Sequence, residues 1–252
     1  MLPMLQIGPL NVQTGGLILV LAAWLGMTLT EKLGKYSRVS ANLTTDAIIW
    51  GIGGGIVFAR LGYSLASPDV LFQNPLTLIS LNMYQFDLVS GLAGFFLTTA
   101  IFSSRKAVPF RLLLDAQTPF FICAAFGYAL STMASGEVYG APVSLPWAVS
   151  LWGISRHPVQ IYDLLLICLV GYFLFKLHSF LNDDLLGGGQ FPIIIAALAI
   201  DQIITSPFRG DPGITTFAGV RLQQIAAWII LAAALVILWY WHQPVQSEKE
   251  NS

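Results

Sequence analysis

Charged residues are scarce in this chain. Only 10% of its 252 residues are charged, whereas 56% are hydrophobic, and the mean hydropathy is +0.72. About a quarter of the residues of a soluble globular domain are charged, so this composition excludes that class. The formal net charge of −1 gives no basis for nucleic-acid binding. The sequence therefore indicates a polytopic membrane protein in contact with membrane lipid.

Cysteine and histidine are also rare. Cys123 and Cys168 both lie in apolar runs and form neither a CxxC pair nor a metal-ligand spacing. The three histidines are spread along the chain, so we expect no metal site. The N-terminus lacks the basic region and the small-residue cleavage site of a secretory signal peptide, and we expect the first apolar run to remain in the mature protein.

Long apolar runs predict an all-α bundle of about seven transmembrane helices, each of roughly 20 residues. The predicted spans are 16–30, 46–64, 86–102, 112–132, 159–177, 191–205 and 222–241. A single membrane domain, 1–252, accounts for the whole length, with a polar tail from about residue 243. No internal repeat is visible, which disfavours a transporter built from two related halves.

Two features inside the predicted spans have structural interpretations. The glycine cluster at 51–55 in the second span favours close packing of helices over phosphate binding. Asp115 is predicted in the first turn of the fourth span, where the N-terminus of a helix favours a carboxylate. We expect it to stabilise that helix start or to contact substrate.

Basic residues predict an orientation in the membrane. With the N-terminus outside and the C-terminus cytoplasmic, eight Lys and Arg residues fall on inner loops and four arginines on the outer half. This distribution satisfies the positive-inside rule. The outer arginines are Arg60, Arg156, Arg209 and Arg221. An arginine near the outer surface requires an anionic partner, which is either a protein carboxylate or a lipid phosphate.

One irregular segment, at about 133–158, separates two apolar runs and carries Glu137, Arg156 and His157. Two prolines exclude an uninterrupted helix in its first half. Irregular backbone at membrane depth is tolerated only where protein or a water-filled cavity satisfies its polar groups. We expect a loop folded onto the periplasmic face of the bundle, which holds a carboxylate and a guanidinium near lipid headgroups.

Six short motifs occur along the chain in a fixed order. They are IGPL at 7–10, GGGIVFARLGY at 53–63, Asp115 with Pro119, GEVYG at 136–140, RHPVQIYD at 156–163 and FRGDP at 208–212. Their order resembles that of the bacterial prolipoprotein diacylglyceryl transferase family over nearly the whole chain. RHPVQIYD is the most specific piece, since it is close to the family's RHPSQLYE and follows LPWAV.

The resemblance implies a multi-pass enzyme of the bacterial inner membrane that needs no cofactor. It would transfer the diacylglyceryl group from phosphatidylglycerol to the lipobox cysteine of a prolipoprotein, so its partners would be phosphatidylglycerol and the prolipoprotein signal peptide. A thiolate must displace glycerol phosphate from a glyceryl carbon. The reaction therefore requires a base near the thiol and cationic groups in contact with the phosphodiester.

The resemblance also assigns candidate site residues. The catalytic candidates are Glu137, Arg156, His157 and Asp87, and the substrate-binding candidates are Arg60, Tyr63, Asp115, Gly140, Gln160, Tyr162 and Arg209. Arg209 either binds phosphate or pairs with Asp211 or Asp201. His157 either holds the loop in place, which we favour, or transfers a proton. Glu137 orients the glyceryl hydroxyls, pairs with an arginine or caps the loop.

The chain departs from the family at four positions. Gly15 replaces a Tyr, Asp87 lies near the position of a family His, and Ala129 and Thr132 replace an Arg and an Asn. Asp87 can serve as a base for a thiol only if burial raises its pKa strongly. These substitutions leave open a second hypothesis, in which the chain is a paralogue that binds lipid or signal peptide without catalysis.

Overall fold

The computed structural model describes residues 4–7, 10–34, 37–69, 85–136, 138–180, 189–210 and 220–241. Helices account for most of these residues. They are α1 Thr14–Leu33, α2 Ala41–Ala66, α3 Leu88–Arg105, α4 Phe110–Ala116, α5 Thr118–Ser135, α6 Val159–Phe180, α7 Gln190–Thr205 and α8 Leu222–Trp241. A 3₁₀ turn, Ser206–Phe208, extends α7. The strands β1 Met4–Ile7 and β2 Leu10–Gln13 form one hairpin, and β3 Val149–Leu151 and β4 Ile154–Arg156 form another.

The described helices confirm the predicted membrane bundle. Six of them, α1, α2, α3, α5, α7 with its 3₁₀ turn, and α8, are long and apolar enough to cross a membrane. Helix α6 adds a shorter apolar stretch over Val159–Leu174. Six spans and this seventh apolar helix agree with the expected number. Many large apolar side chains on these helices are exposed, as surfaces that face lipid require.

The fourth predicted span is divided into α4 and α5, which corrects the single helix expected there. Pro119 has no N–H to donate to the carbonyl of Asp115, whereas proline is tolerated in the first turn of a helix. The backbone N–H of Gln117 closes α4 by donating to the carbonyls of Leu113 and Leu114, at 3.2 and 3.1 Å. Asp115 therefore lies near the end of α4, and its predicted place in the first turn of a span is wrong.

Two compact units make up the chain, and each is described by itself: Met4–Ala124, and a second unit from Ala125 onward. The first unit has an aromatic core. Ile48 and Phe95 pack there with Phe120, and the stacked rings of the two phenylalanines have centroids 5.9 Å apart.

Glycines bring α2 and α3 into close contact in the first unit. A Cβ on Gly94 would approach the carbonyl oxygen of Gly54 to 2.8 Å, and one on Gly55 would approach that of Gly91 to 3.2 Å. A Cβ on Gly94 would thus require the backbone to shift, and one on Gly55 would be in tight contact, which supports the predicted packing role of the glycine cluster. Gly53 is the exception, because a Cβ there would meet open space.

The second unit combines α6, α7 and α8 with the long connecting segment. Helix α7 packs against both α6 and α8. In the segment, Trp152 and Gly153 have φ of 52° and 76°, which is the geometry of a two-residue type I′ turn between β3 and β4. The segment predicted as irregular at about 133–158 thus begins inside α5 and contains a hairpin.

Candidate active site

Backbone hydrogen bonds join three extended segments of the second unit, at 139–143, 154–157 and 208–210. They run from His157 N to Ala141 O at 3.0 Å, from Ala141 N to Phe208 O at 2.7 Å and from Gly210 N to Tyr139 O at 2.7 Å. The segment 139–143 therefore lies in the middle, with Arg156 on one side of it and Arg209 on the other.

Gly140 permits this close packing of backbones. A Cβ at Gly140 would overlap the carbonyl oxygen of His157, and one at Gly210 would come within 2.6 Å of the carbonyl oxygen of Gly140. Only glycine fits both positions without a shift of the backbone. The structure thus gives Gly140, predicted to bind substrate, a role in holding the two arginine-bearing segments together.

Arg156 is held by a carbonyl and two rings. Its Nη1 donates to the carbonyl of Gly140 at 3.2 Å. Its Cζ lies 4.9 Å from the ring centroid of Tyr139 and 5.8 Å from that of Trp152, within the range of cation–π attraction. The Nε atom is buried and has no hydrogen-bond partner among the described residues. The guanidinium is therefore oriented, with one donor still available.

Arg209 is half of a buried ion pair. Its Nη2 donates to Oδ2 of Asp163 at 3.3 Å, and the two side chains are only 9% and 7% exposed. Its Nε is also buried without a partner in the described part of the chain. The expected partners were Asp211 or Asp201. Asp211 lies outside the described residues, and Asp163, not Asp201, makes the ion pair.

Sequence reasoning missed Asp163 as a site residue. The signal was present, because Asp163 is the acidic last residue of the motif RHPVQIYD, where the family has Glu. Arg221 was predicted only as one of the outer arginines. Its Nη2 donates to the carbonyl of Arg209 at 2.7 Å, so it supports the segment that carries Arg209.

A chain of polar contacts connects the loop to the first turns of α6. Trp147 Nε1 donates to the hydroxyl of Tyr162 at 2.9 Å, and that hydroxyl lies 3.3 Å from Nδ1 of His157. Gln160 Nε2 donates to the carbonyl of Val138. These contacts support the interpretation in which His157, Gln160 and Tyr162 hold the loop in place.

The same rings border a cavity of about 430 Å³. Its lining residues are Leu145, Trp147, His157, Tyr162, Ile204, Thr205 and Phe208. The rings of His157 and Phe208 are in contact, with centroids 5.0 Å apart. The cavity is therefore directly beside the segment that carries Arg209.

In the first unit, Arg60 is buried against the segment that precedes α3. Its Nη1 donates to the backbone carbonyl and to Oε1 of Gln85 at 3.3 and 3.1 Å, and its Cζ lies 4.0 Å from the ring centroid of Phe86. Tyr63 follows almost one turn later in α2 and is half-buried. These contacts tie α2 to residues 85–86. A role in substrate binding for Arg60 and Tyr63 stays a prediction.

Asp87 caps α3. Its Oδ2 accepts a hydrogen bond from the backbone N–H of Ser90 at 2.7 Å. Hydrogen bonding by the side chain and the backbone of Ser90 lowers the pKa of Asp87 below its usual value. A base for a thiol would need a raised pKa. The geometry therefore assigns Asp87 to helix capping and gives no support to its predicted role as a base.

The predicted site residues thus fall into two sets. The second unit brings together Gly140, Arg156, His157, Gln160, Tyr162 and Arg209, and the first unit contains Arg60, Tyr63, Asp87 and Asp115. Glu137 lies outside the described residues. Within the part of the chain that is described, no cluster of three His, Cys, Asp or Glu residues is suited to a metal ion. Chemically, the second unit offers guanidinium donors suited to an oxyanion.

Comparison with known proteins shows similarity along nearly the whole chain. The family model described as prolipoprotein diacylglyceryl transferase matches residues 3–240. A phosphatidylglycerol–prolipoprotein diacylglyceryl transferase from Finegoldia magna is 24% identical over 245 residues, 96% of each chain. The enzyme of that name from Rhizobium meliloti is 27% identical over 251 residues, which is 92% of this chain and 88% of the relative. One from Bordetella parapertussis is 30% identical over 172 residues, 64% of each chain.

Proposed function

The chain belongs to the prolipoprotein diacylglyceryl transferase family, and from this premise we propose that Arg156 and Arg209 bind the phosphate of its phospholipid substrate. We refer to these two residues as the arginine centre. The chain transfers a diacylglyceryl group from phosphatidylglycerol to prolipoproteins, as the names of its family and relatives indicate. Because these relatives are transferases that match most of the chain, the alternative of a binding protein without catalysis is not favoured.

Two buried donors support the arginine centre: Nε of Arg156 and Nε of Arg209, neither of which has a hydrogen-bond partner among the described residues. Each guanidinium is fixed by another of its nitrogens, in Arg156 by the carbonyl of Gly140 and in Arg209 by Asp163. Each Nε is buried with no acceptor among the described residues. A buried donor without an acceptor costs about 1–3 kcal/mol, and a phosphate oxygen would remove that cost. Arginine suits this task because its planar donors match the geometry of phosphate.

Such a centre would act on the leaving group. A sulfur–carbon bond forms between the lipobox cysteine and the glyceryl carbon, while the bond from that carbon to the phosphate oxygen breaks. Negative charge develops on the departing glycerol phosphate, and guanidinium groups that are already oriented stabilise it most in the transition state. The proton of the thiol must pass to a base. Glu137, from its place in GEVYG, stays our prediction for the carboxylate that orients the glyceryl hydroxyls.

We place this centre on the periplasmic side of the bacterial inner membrane, with the N-terminus outside and the C-terminus cytoplasmic. The distribution of eight inner and four outer basic residues supports this orientation. Trp147 and Trp152, at 57% and 65% exposure, are suited to the boundary between lipid and water.

The proposal is tested by lipidation in bacteria depleted of their own transferase. The wild-type chain should restore diacylglyceryl-modified lipoprotein. Arg156→Ala and Arg209→Ala should each lower the rate by about 100- to 1,000-fold, the usual effect of removing one donor to a developing oxyanion. Arg156→Lys should restore little, because a lysine cannot reproduce the planar fork of donors.

Arg105→Ala is the matched control, because Arg105 is exposed at the end of α3. It should leave lipidation unchanged. A wild-type chain that inserts into the membrane but lipidates nothing would refute the function. An active wild type with equally active Arg156→Ala and Arg209→Ala variants would refute only the assignment of the site.

A further inference from the structure

A second buried carboxylate, Asp201 on α7, lies near the arginine centre and has no role in the phosphate chemistry. The side chain is only 3% exposed, and its Oδ1 atom has no hydrogen-bond partner among the described residues. The ion pair between Arg209 and Asp163 does not include it. Burial of an unpaired charge is costly, so a buried carboxyl group is normally either paired with a cation or neutral. Asp201 therefore requires a cation or a proton.

The periodicity of α7 places Asp201 on the face that meets Asp163. Asp201 and Thr205 are one turn apart, so their side chains lie on the same face, and both are buried. The side chain of Thr205 lies beside the carboxylate of Asp163 on α6, and the charges of Asp163 and Arg209 both act on Asp201. We refer to Asp163 and Asp201 as the acidic pair.

The described residues of the second unit place one cation, Arg209, against the acidic pair. Arg209 donates to Asp163 at 3.3 Å. Arg156 is held instead by the carbonyl of Gly140, and Arg221 donates to a backbone carbonyl. Two carboxyl groups in a buried site therefore have one guanidinium between them.

Other titratable groups on the neighbouring elements are directed elsewhere. Helix α8, which packs against α7, has no charged residue over Leu222–Trp241. His157 and Tyr162 contact each other at the cavity that Thr205 also lines. The remaining titratable side chains with a described position on α6 are exposed, and they are Cys168, Tyr172 and Lys176. Asp201 therefore either shares Arg209 with Asp163 or is neutral.

We propose that Asp201 carries a proton at neutral pH, and that this proton keeps Arg209 able to bind the phosphate of the phospholipid. Two carboxylates so close to each other in a buried site cannot both ionise without a large cost. A protonated Asp201 also has an O–H donor, and Oδ1 of Asp163 is a buried acceptor without a partner among the described residues. Asp201 is thus a positioning residue that acts through Arg209, and this inference rests on the proposed function.

Loss of the proton should weaken the binding of phospholipid. With Asp201 protonated, Asp163 and Arg209 form a neutral pair, so nothing in the pair opposes a phosphodiester anion. With Asp201 ionised, the three groups have an excess negative charge, which repels that anion. The apparent affinity falls with the fraction of the protein in the competent state, so the Kd should rise about ten-fold per pH unit above the titration of Asp201.

Infrared spectroscopy of the purified full chain, in a detergent without ester groups, tests for the proton. A protonated carboxyl group has a carbonyl band separate from the bands of a carboxylate. The difference between the spectra of wild type and Asp201→Asn at neutral pH should contain this band, and alkaline pH should remove it. Asp46→Asn, at an exposed carboxylate on α2, is the matched control and should leave the band in place. Labelling the aspartate carboxyl groups with ¹³C should shift the band, so the wild type alone also tests the assignment.

Binding of phosphatidylglycerol tests the effect on Arg209. It is measured without turnover, from the thermal stabilisation of the chain by added lipid. For the wild type, the Kd should rise about ten-fold per pH unit once the infrared band is lost. Asp201→Asn has no proton to lose, so its Kd should stay constant from neutral to alkaline pH. Diacylglycerol lacks the phosphate, and its binding to the wild type should show no such rise.

Three results would overturn the inference. One is a wild type without an aspartate band at neutral pH, because Asp201 would then be ionised. Another is the same rise in Kd for wild type and Asp201→Asn, and the third is an equal rise for diacylglycerol and phosphatidylglycerol. Neither measurement needs catalysis. A chain that shows the band and the predicted binding but lipidates nothing therefore refutes the proposed transfer and supports the role of Asp201.

Discussion

At the scale of single residues, the stability of the candidate site depends on the ion pair between Arg209 and Asp163. Removing one partner of a buried pair leaves the other charge without compensation, which costs about 3–5 kcal/mol. Asp163→Ala should therefore lower the free energy of unfolding by about that amount, measured by thermal unfolding in detergent, whereas Asp163→Glu should retain most of it. Asp46→Ala, at an exposed carboxylate on α2, is the control. Equal melting temperatures for Asp163→Ala and Asp46→Ala would contradict the prediction.

The ion pair between Arg209 and Asp163 also shows which contacts of single residues the sequence did not predict. The motifs identified Arg156, His157 and Arg209, because each residue stands inside a short recognisable string. The partner of Arg209 is 46 residues away, and the contact depends on how three extended segments align. Neither composition nor motif order determines that alignment. Asp201, which is closer along the chain, was therefore the expected partner but does not make the ion pair, and Asp211 lies outside the described residues.

At the scale of helices, the cap of α3 predicts a dependence of stability on pH. The pKa of Asp87 is lowered by its hydrogen bonds with Ser90, so its carboxylate stabilises the folded state. That contribution is present above the unfolded pKa of about 3.9 and is lost as the pH falls through the lower folded value. Asp87→Ala should cost about 1 kcal/mol at neutral pH.

The measurement for this cap is thermal unfolding between about pH 3 and pH 7, spanning the titration of an aspartate. The difference between wild type and Asp87→Ala should shrink toward the acidic end, because the contribution of the carboxylate charge is lost there. Asp87→Asn, whose amide oxygen can still accept the bond from Ser90, should lie close to wild type at neutral pH and show no such titration. A difference that persists unchanged at the lowest pH would contradict the capping account.

The contact between α2 and α3 predicts an asymmetry among the glycines. Gly94→Ala should destabilise the first unit, because its Cβ would overlap Phe58 and approach the Gly54 carbonyl to 2.8 Å. Overpacking of this kind costs about 1–3 kcal/mol. Gly53→Ala meets open space and should be neutral, or stabilising by up to about 1 kcal/mol, because alanine is the better helix former. If thermal unfolding ranks the two variants in the opposite order, the packing interpretation fails.

The sequence predicted the helices better than it predicted the breaks and turns between them. The last span, 222–241, agrees with α8 at both ends, since an apolar run of that length has few alternatives. The break at Gln117 was missed although Pro119 marked it. The hairpin was missed because its turn is Trp152–Gly153, and a bulky residue at positive φ does not give the usual signal of Asn or Asp before Gly.

At the scale of the molecule, a contact in the second unit fixes how many times its helices cross the membrane. Residues 139–141, before α6, are hydrogen-bonded to residues 208–210, after α7, so both segments are on the same side. Helix α7 with its 3₁₀ turn, Gln190–Phe208, is long enough to cross. If α7 crosses, α6 must cross as well, although its apolar stretch is the shortest of the seven.

The same reasoning leads to a prediction for the termini. If α6 and each of the six candidate spans cross once, the N- and C-termini lie on opposite sides, and the basic residues predict which side is cytoplasmic. If the arginine centre is periplasmic, α8 returns the chain to the cytoplasm. Green fluorescent protein fused after residue 252 should then fluoresce, because it folds in the cytoplasm, and alkaline phosphatase at the same point should be inactive.

Fusions at two internal positions provide the control. Truncation after residue 136, at the end of α5, should give an active phosphatase, and truncation after residue 106, at the end of α3, an inactive one. The reverse pattern would place the arginine centre in the cytoplasm and eight basic residues outside. A prolipoprotein whose cysteine emerges on the periplasmic face would then be out of reach of Arg156 and Arg209. The two reporter fusions therefore test the predicted orientation and the proposed chemistry together.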